Sequence, residues 1–386
     1  MDARIVGWGH SKFGRLEEQN FEDLVVSVTK EALDKAGIEA KDVDAIYLGH
    51  FNGGLVADGF PSSLPLQAHD DLRFKPATRC ENACASGSAA IYSARNAIRA
   101  GDAKTVLVIG AEKMTSKDTA GVTEALASAS YQKEEGGMSF PAIFGQIAAS
   151  YFQKFGDHSE DLARIAVKNH QNALANPLAQ MRKDVPFEFC NNVSDKNPLI
   201  APPLRLTDCS LITDGAAALI MVADDMEQDF QHSVAFRSAV HVNDYLPMSR
   251  RDMTAFEGPA YAFQQAFAQA GVTHADIDFA EVHDCFTMAE LLIYEAMGIK
   301  PKGRGAEAIR EGIVRKDGSL PINVSGGLKA KGHPVGATGV SMHVLSAMQL
   351  VNEAGDMQIP GAKLGCVFNM GGSGVANYCS VLENAR

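Results

Sequence analysis

Apolar positions along the chain alternate between helical and strand-like spacing, and two such stretches return far downstream in the same order. Leu33-Asp34-Lys35-Ala36-Gly37-Ile38 leads through Asp42-Val43-Asp44 into the apolar run Ala45-Ile46-Tyr47-Leu48. Phe267-Ala268-Gln269-Ala270-Gly271-Val272 leads through Asp276-Ile277-Asp278 into Phe279-Ala280-Glu281-Val282. Each predicts a helix closed by glycine, a short loop and a strand. A second echo follows the first. Residues 84–101 predict a small-residue-rich helix feeding a strand over 105–110. Residues 339–355 predict a helix feeding a strand over 364–368. Two echoes in one order point to two related α/β halves.

The halves are not contiguous. Between about Met114 and Arg205, helical patches such as 159–174 alternate with polar, proline-containing loops. Asn176-Pro177, Asp184-Val185-Pro186 and Ala201-Pro202-Pro203 mark those loops. A stretch this long inside an α/β unit is more often a functional insertion than structureless chain. The first half resumes with a buried-strand pattern over 214–222, and the second opens near Ser233. The expected division is 1–113 with 206–232 for the first half, 114–205 for an inserted loop domain, and 233–386 for the second half. Alternating helices and strands predict stacked α/β layers.

Composition narrows the class. The chain has 386 residues, 46% hydrophobic and 21% charged, enough for a large core in two or three domains. No window approaches the roughly 18 apolar residues that span a bilayer, so no membrane segment is expected. Residues 1–5 run into a strand-like stretch without the layout of a secretory leader, and a cytoplasmic location is expected. The net charge of −12, with no dense lysine or arginine cluster, argues against nucleic acid as a partner. Seven cysteines, odd in number and widely spaced, predict reduced thiols rather than a disulfide framework. Most of them should be packing residues.

Four segments carry candidate chemistry. In Glu81-Asn82-Ala83-Cys84-Ala85-Ser86-Gly87, a cysteine sits among small residues at an expected helix start. Free N–H groups there can stabilise a thiolate or a thioester oxyanion. The competing reading is a buried cysteine at a tight helix–sheet contact. In Glu281-Val282-His283-Asp284-Cys285-Phe286, three polar residues fall just after a strand, where α/β active sites sit. The competing readings are a capped strand end or a metal site, and neither this segment nor Cys80-x-x-x-Cys84 has paired zinc-ligand spacing, so no metal is expected. Ser325 through Gly339 reads as a shaped loop, with His333 held between Gly332 and Pro334 as a candidate base for a thiol. A phosphate-cradling loop is the alternative there, but the P-loop spacing is absent. Asn369-Met370-Gly371-Gly372-Ser373-Gly374 follows an expected strand and can offer backbone N–H groups to an oxyanion; a plain turn is the alternative.

Together, Cys84-Ala85-Ser86, His283-Asp284-Cys285-Phe286, Gly332-His333-Pro334 and the closing glycine strand resemble the thiolase superfamily over essentially the whole chain. Gly332-His333-Pro334-Val335-Gly336-Ala337-Thr338-Gly339 is the most specific piece. The resemblance implies a five-layered αβαβα fold from two duplicated halves with a long loop insertion in the first. Many thiolases have Asn-Glu-Ala-Phe in the third loop and a second cysteine in a final Cys-x-Gly. This chain has His283-Asp284-Cys285-Phe286, and Asn369 stands at the place of that cysteine. The exchange is similar to the sterol-carrier-protein-2-type thiolases and acetyl-CoA acetyltransferase-like relatives. It implies that Cys84 carries the acyl group, His333 is its base and Cys285 is the acid/base at C2. It further implies that His283 with His333 holds the enolate oxygen, and that the N–H groups of Cys84 and Gly371 hold the tetrahedral oxyanion. Coenzyme A and acyl-CoA enter as substrates, with no tightly bound cofactor. A homodimer or homotetramer is expected. Two alternatives stay open: a thiolase-fold acyltransferase with a non-CoA acceptor, and a subunit that acts only with a small zinc-ribbon/OB-fold partner.

Overall fold

A computed structural model of the chain describes residues 2–386, and Met1 lies outside them. Eleven strands follow in chain order: β1 (Ala3–His10), β2 (Ala45–Gly49), β3 (Ala77–Cys80), β4 (Thr105–Glu112), β5 (Leu199–Ala201), β6 (Leu204–Arg205), β7 (Gly215–Ala223), β8 (Val234–Asn243), β9 (Phe279–Val282), β10 (Leu364–Gly371) and β11 (Ala376–Asn384). Nine of them run in the order β3-β2-β4-β7-β1-β8-β11-β10-β9, while β5 and β6 form a separate pair. Strands β1 and β8 pair only at Arg4–Ala235 and Ile5–Val234. The assembly is therefore two sheets joined at one seam.

The two sheets repeat one topology. In the first, β3 and β4 flank β2 in parallel, β7 runs antiparallel to β4, and β1 antiparallel to β7. In the second, β10 flanks β9 in parallel, β11 is antiparallel to β10, and β8 antiparallel to β11. A parallel bridge from Ala280 to Ile322 stands where β3 pairs β2. The duplication expected from the sequence is present strand by strand.

Helices complete the layers. Phe21–Ala36 begins at a reciprocal cap between Asn20 and Asp23 and ends at Gly37, whose φ of 69° continues no helix. It packs Leu24, Val25, Val28 and Ala32 against Val6, Leu107, Ile109, Ile220 and Val222. The alternate residues Ile5, Val106, Val108, Leu219 and Met221 face the opposite side, as the period of two in a strand requires. There they meet Ser86–Ala100 and Thr338–Leu350, the two helices between the sheets. Glu257–Ala270 covers the outer face of the second sheet and ends at Gly271, matching Gly37 in the first half. The order is helix, sheet, helix pair, sheet, helix.

Some expected boundaries move. The strand expected over 364–368 continues to Gly371, because the antiparallel ladder with β11 runs through Gly371–Ala376. Asn369 through Gly371 are thus strand, and the glycine loop begins at Gly372. The helix expected from Cys84 starts at Ser86, after a tight turn in which Ala83 has φ of 50°. Between residues 114 and 205 lie the helices Thr119–Ala127, Phe140–Phe155 and Ser159–Ala173 and the β5–β6 pair. Among the described residues, no helix is long and apolar enough to cross a membrane.

Candidate active site

Both central helices start at the interface between the halves, and their leading loops meet there. Backbone approaches backbone: a Cβ at Gly87 would lie 2.7 Å from the Gly336 carbonyl, so this contact admits no side chain. That closeness brings the turn carrying Cys84 against the loop carrying His333. The third contributor, His283-Asp284-Cys285, leaves the end of β9. The Cys84 sulfur and one ring nitrogen from each of His283 and His333 lie within 4.8 Å of one another. The two rings stand edge to face, with centroids 5.1 Å apart. These three donors are near enough to hold a metal ion by distance, a grouping that spacing along the chain does not reveal.

Each side chain is held from behind. His333 Nδ1 lies 2.7 Å from the Thr338 hydroxyl, and its backbone N–H donates to Thr213 Oγ1 at 3.0 Å. Gly332 enters this loop at φ of 121°, which a side chain rarely adopts. His283 Nδ1 lies 2.9 Å from the Asn369 amide nitrogen. Nε2 of both rings has no hydrogen-bond partner among the described residues. Asp284 points away from this cluster. Its carboxylate accepts from the backbone N–H groups of Leu328 (2.6 Å) and Lys329 (3.1 Å), and from Asn169 Nδ2 (2.8 Å). It ties the β9 loop to the His333 loop, and Asn169 brings in the helix Ser159–Ala173.

Burial governs the charges. The Cys84 thiol is pushed up to about 12 by burial, against which the Gly372 N–H and its own N–H act in the opposite sense. His333 is pulled down to about 3 by burial and the nearby Lys331 charge. His283 falls well below the ordinary histidine value through burial and its neighbour His333. These shifts all favour a thiol beside two neutral imidazoles over an ion pair. Cys285 rises well above the usual thiol range through burial first, then through the charge an ionised Cys84 would carry. Asp284 is pushed up to about 7 by burial and by Glu290.

Cys84, His283, Cys285 and His333 thus gather at one place. Gly371 closes β10, and the N–H that faces the Cys84 sulfur is that of the next residue, Gly372. Thr338, Thr213, Asn169 and Gly372 are site residues that motif reasoning passes over. Thr338 lies inside the glycine-rich His333 motif and Gly372 inside the closing glycine segment; Thr213 and Asn169 carry no local signal. A cleft of 390 Å³ adjoins the turn, lined by Phe51, Arg79, Glu81, Asn82, Gly371 and Gly372. Its size suits a small-molecule site.

A duplicated five-layer α/β fold with cysteine and two histidines at the junction of its halves defines a thiolase-type acyltransferase. The family model for the thiolase N-terminal domain matches residues 3–225, and that for the thiolase C-terminal domain-like region matches 239–384. The chain belongs to the thiolase family. It is 38% identical over 377 residues to acetyl-CoA acetyltransferase of Methanothermobacter thermautotrophicus, covering 97% of each chain. It is 32% identical over 387 residues to human sterol carrier protein 2, covering 95% of this chain and 69% of that one. In fold it is similar to the Ltp2-ChsH2(DUF35) aldolase, with TM-score 0.84 and 24% identity over 100% of this chain and 98% of that one. Human mitochondrial 3-ketoacyl-CoA thiolase in complex with CoA gives TM-score 0.78 at 18% identity, with the same two shares. The family and fold expected from the sequence are borne out.

Proposed function

We propose that the enzyme makes or cleaves the C2–C3 bond of a 3-oxoacyl-CoA through an acyl group carried on Cys84. The observation that carries this is the convergence of the Cys84 sulfur with the two buried, neutral histidines. His333 takes the thiol proton, and the sulfur attacks the C3 carbonyl. The N–H groups of Cys84 and Gly372, the latter in the role expected of Gly371, hold the tetrahedral oxyanion. The C2–C3 bond breaks, and its electron pair leaves as the enolate of an acyl-CoA whose oxygen faces His283 and His333. Cys285 protonates C2, then takes the proton of the incoming CoA thiol, which displaces Cys84 from the acyl group. Coenzyme A is a substrate in this scheme, and the cleft beside Asn82 and Gly372 receives it. Residues 114–205, taken as an inserted unit, shape the acyl pocket.

Incubation with a panel of acyl-CoAs and intact-mass analysis tests the scheme. An acyl mass that free CoA removes is expected. Absence of any covalent adduct across the panel overturns it. A partnered reading rests on one observation, the fold likeness to the Ltp2-ChsH2(DUF35) aldolase, whose name joins two components. In that reading the same residues act only with a small zinc-ribbon/OB-fold subunit bound, and turnover by the purified chain alone counts against it. A homodimer or homotetramer is proposed as well, since β3 leaves one edge of the first sheet unpaired. Light scattering of the active enzyme tests it, and an active monomer excludes it.

A further inference from the structure

A neutral imidazole carries one proton, and the nitrogen that holds it decides whether the exposed nitrogen donates or accepts. We infer that Asn369 and Thr338 lock the two facing rings in opposite tautomers, so that His283 presents Nε2–H and His333 presents a bare Nε2. The catalytic consequence rests on the function proposed above; the tautomers themselves do not.

The Thr338 hydroxyl lies 3.0 Å from the Pro334 carbonyl oxygen, which can only accept. That oxygen also takes the backbone N–H groups of Ala337 at 2.9 Å and Thr338 at 3.0 Å, so the hydroxyl is a third donor to it. His333 Nδ1 sits 2.7 Å from the same hydroxyl oxygen; with the hydroxyl turned to Pro334, as a helical threonine turns to the carbonyl four residues back, the ring is the donor in that contact. Its proton is on Nδ1, and Nε2 keeps a lone pair.

Asn369 imposes the reverse on His283. One face of its carboxamide lies 3.2 Å from the Cys84 carbonyl oxygen. A carbonyl only accepts, so the group facing it is the NH₂. The same nitrogen is 2.9 Å from His283 Nδ1, which therefore accepts its second hydrogen. On the other side, Asn369 Oδ1 accepts from the Ser88 hydroxyl at 2.8 Å. Turning the amide over would set oxygen against the Cys84 carbonyl and lose the donor to His283. The fit is close: a Cβ at residue 339 would stand 2.6 Å from Asn369 Oδ1, and Gly339 has none. Burial keeps both rings neutral, so a second proton does not blur the assignment.

Opposite tautomers suit opposite tasks. The bare Nε2 of His333 accepts the Cys84 proton, while Nε2–H of His283 donates to a developing enolate oxygen. A protonated Nε2 also removes His283 from any metal-ligand set. Asn369 is then a positioning residue: it cannot carry protons itself, but it decides where the His283 proton sits.

Two measurements on the full chain test this. Long-range ¹H–¹⁵N correlation spectra of protein labelled at histidine, assigned with His283→Gln and His333→Gln, report the protonated nitrogen directly. Nε2–H for His283 and Nδ1–H for His333 are expected; the same tautomer in both rings, or the reverse pair, overturns the inference. The second is a kinetic cycle. Asn369→Ala should lower kcat by about tenfold or more when residue 283 is histidine. In a His283→Asn background it should change kcat by less than about twofold, because a carboxamide donates without needing a tautomer set for it. Equal losses in both backgrounds would mean Asn369 acts only through packing, and the inference fails. Correct tautomers in a protein that never forms an acyl-enzyme would instead sink the proposed reaction and leave the tautomers standing.

Discussion

Each half places a histidine directly after its parallel strand β2 or β9; Nε2 of both rings has no hydrogen-bond partner among the described residues, and the two differ at Nδ1. His50 follows β2 and His283 follows β9. Gly49 pairs with Gly110 in β4, and Val282 pairs with Phe368 in β10. Ala111 and Asn369 therefore occupy matching positions beside the two rings. His50 Nδ1 faces two acceptors, the Ala111 carbonyl at 3.1 Å and the Glu112 carboxylate at 3.0 Å, and its ring lies against Phe21. Glu112 in turn accepts from the backbone N–H groups of Phe51, Asn52 and Gly336. That histidine belongs to a knot of buried polar groups that holds the halves together. His283 faces a carboxamide instead, and its other nitrogen is left free beside Cys84. One scaffold position thus joins a knot of buried polar groups in the first half and faces Cys84 in the second, according to the neighbour that the strand supplies.

If the second half supplies chemistry and the first supplies the nucleophile, losing the nucleophile is the largest effect. Cys84→Ala is expected to abolish both the acyl-enzyme mass and turnover. An adduct that persists in that variant moves the acyl site elsewhere. The next largest concerns Cys285, on the same loop as His283. Cys285→Ala should still take up acyl groups on Cys84 but lose turnover by about 10²-fold. It should also lose deuterium exchange at C2 of acetyl-CoA, followed by mass spectrometry. Near-normal exchange would reduce Cys285 to a packing residue and leave His283 and His333 as the only chemistry of the second half.

The division of labour between the halves was only partly legible in the sequence. Periodicity and closing glycines such as Gly37 and Gly271 declare the duplicated elements, because a helix end and the strand after it are encoded within a few residues. Cys84, His283, Cys285 and His333 stand out because each lies in a turn-rich segment where chemistry is usual. What stayed hidden is long-range. Asn169 reaches Asp284 from 115 positions away, a contact that no local pattern specifies. Asn369 reads as loop until the β10–β11 ladder is seen to run past it. Neighbouring Gly371 and Gly372 are indistinguishable until one N–H is found facing the sulfur. The turn at Ala83 was equally invisible, since alanine gives no sign of a positive φ.

The raised Cys84 thiol beside buried His333 leads to a pH prediction. With the thiol pushed up to about 12, protonation prevails at neutral pH, and the thiolate fraction rises about tenfold per pH unit below that value. Alkylation of Cys84 by iodoacetamide should still be accelerating from about pH 7 to about pH 9, read by mass spectrometry of the modified peptide. A rate that levels off near neutrality would show a pre-formed thiolate–imidazolium pair. The opposite-tautomer arrangement would then have to include a charged His333.

The smallest expected effect tests the comparison from its quiet side. His50→Gln keeps a donor that can reach the Ala111 carbonyl and the Glu112 carboxylate, while removing the ring that lies against Phe21. Glu112 retains its three backbone donors, so the knot should loosen rather than open. Turnover is expected to stay within about threefold of the parent enzyme, with stability lower by about 1 kcal/mol, the worth of the lost ring contact with Phe21. Thermal denaturation and steady-state kinetics on the same preparation separate the two. The path by which this could fail is specific: Glu112 also holds the N–H of Gly336, three residues from His333. If His50→Gln leaves the melting temperature intact yet lowers kcat by tenfold or more, the first-half histidine reaches the chemistry through that contact. The line between a structural and a catalytic histidine would then have been drawn in the wrong place.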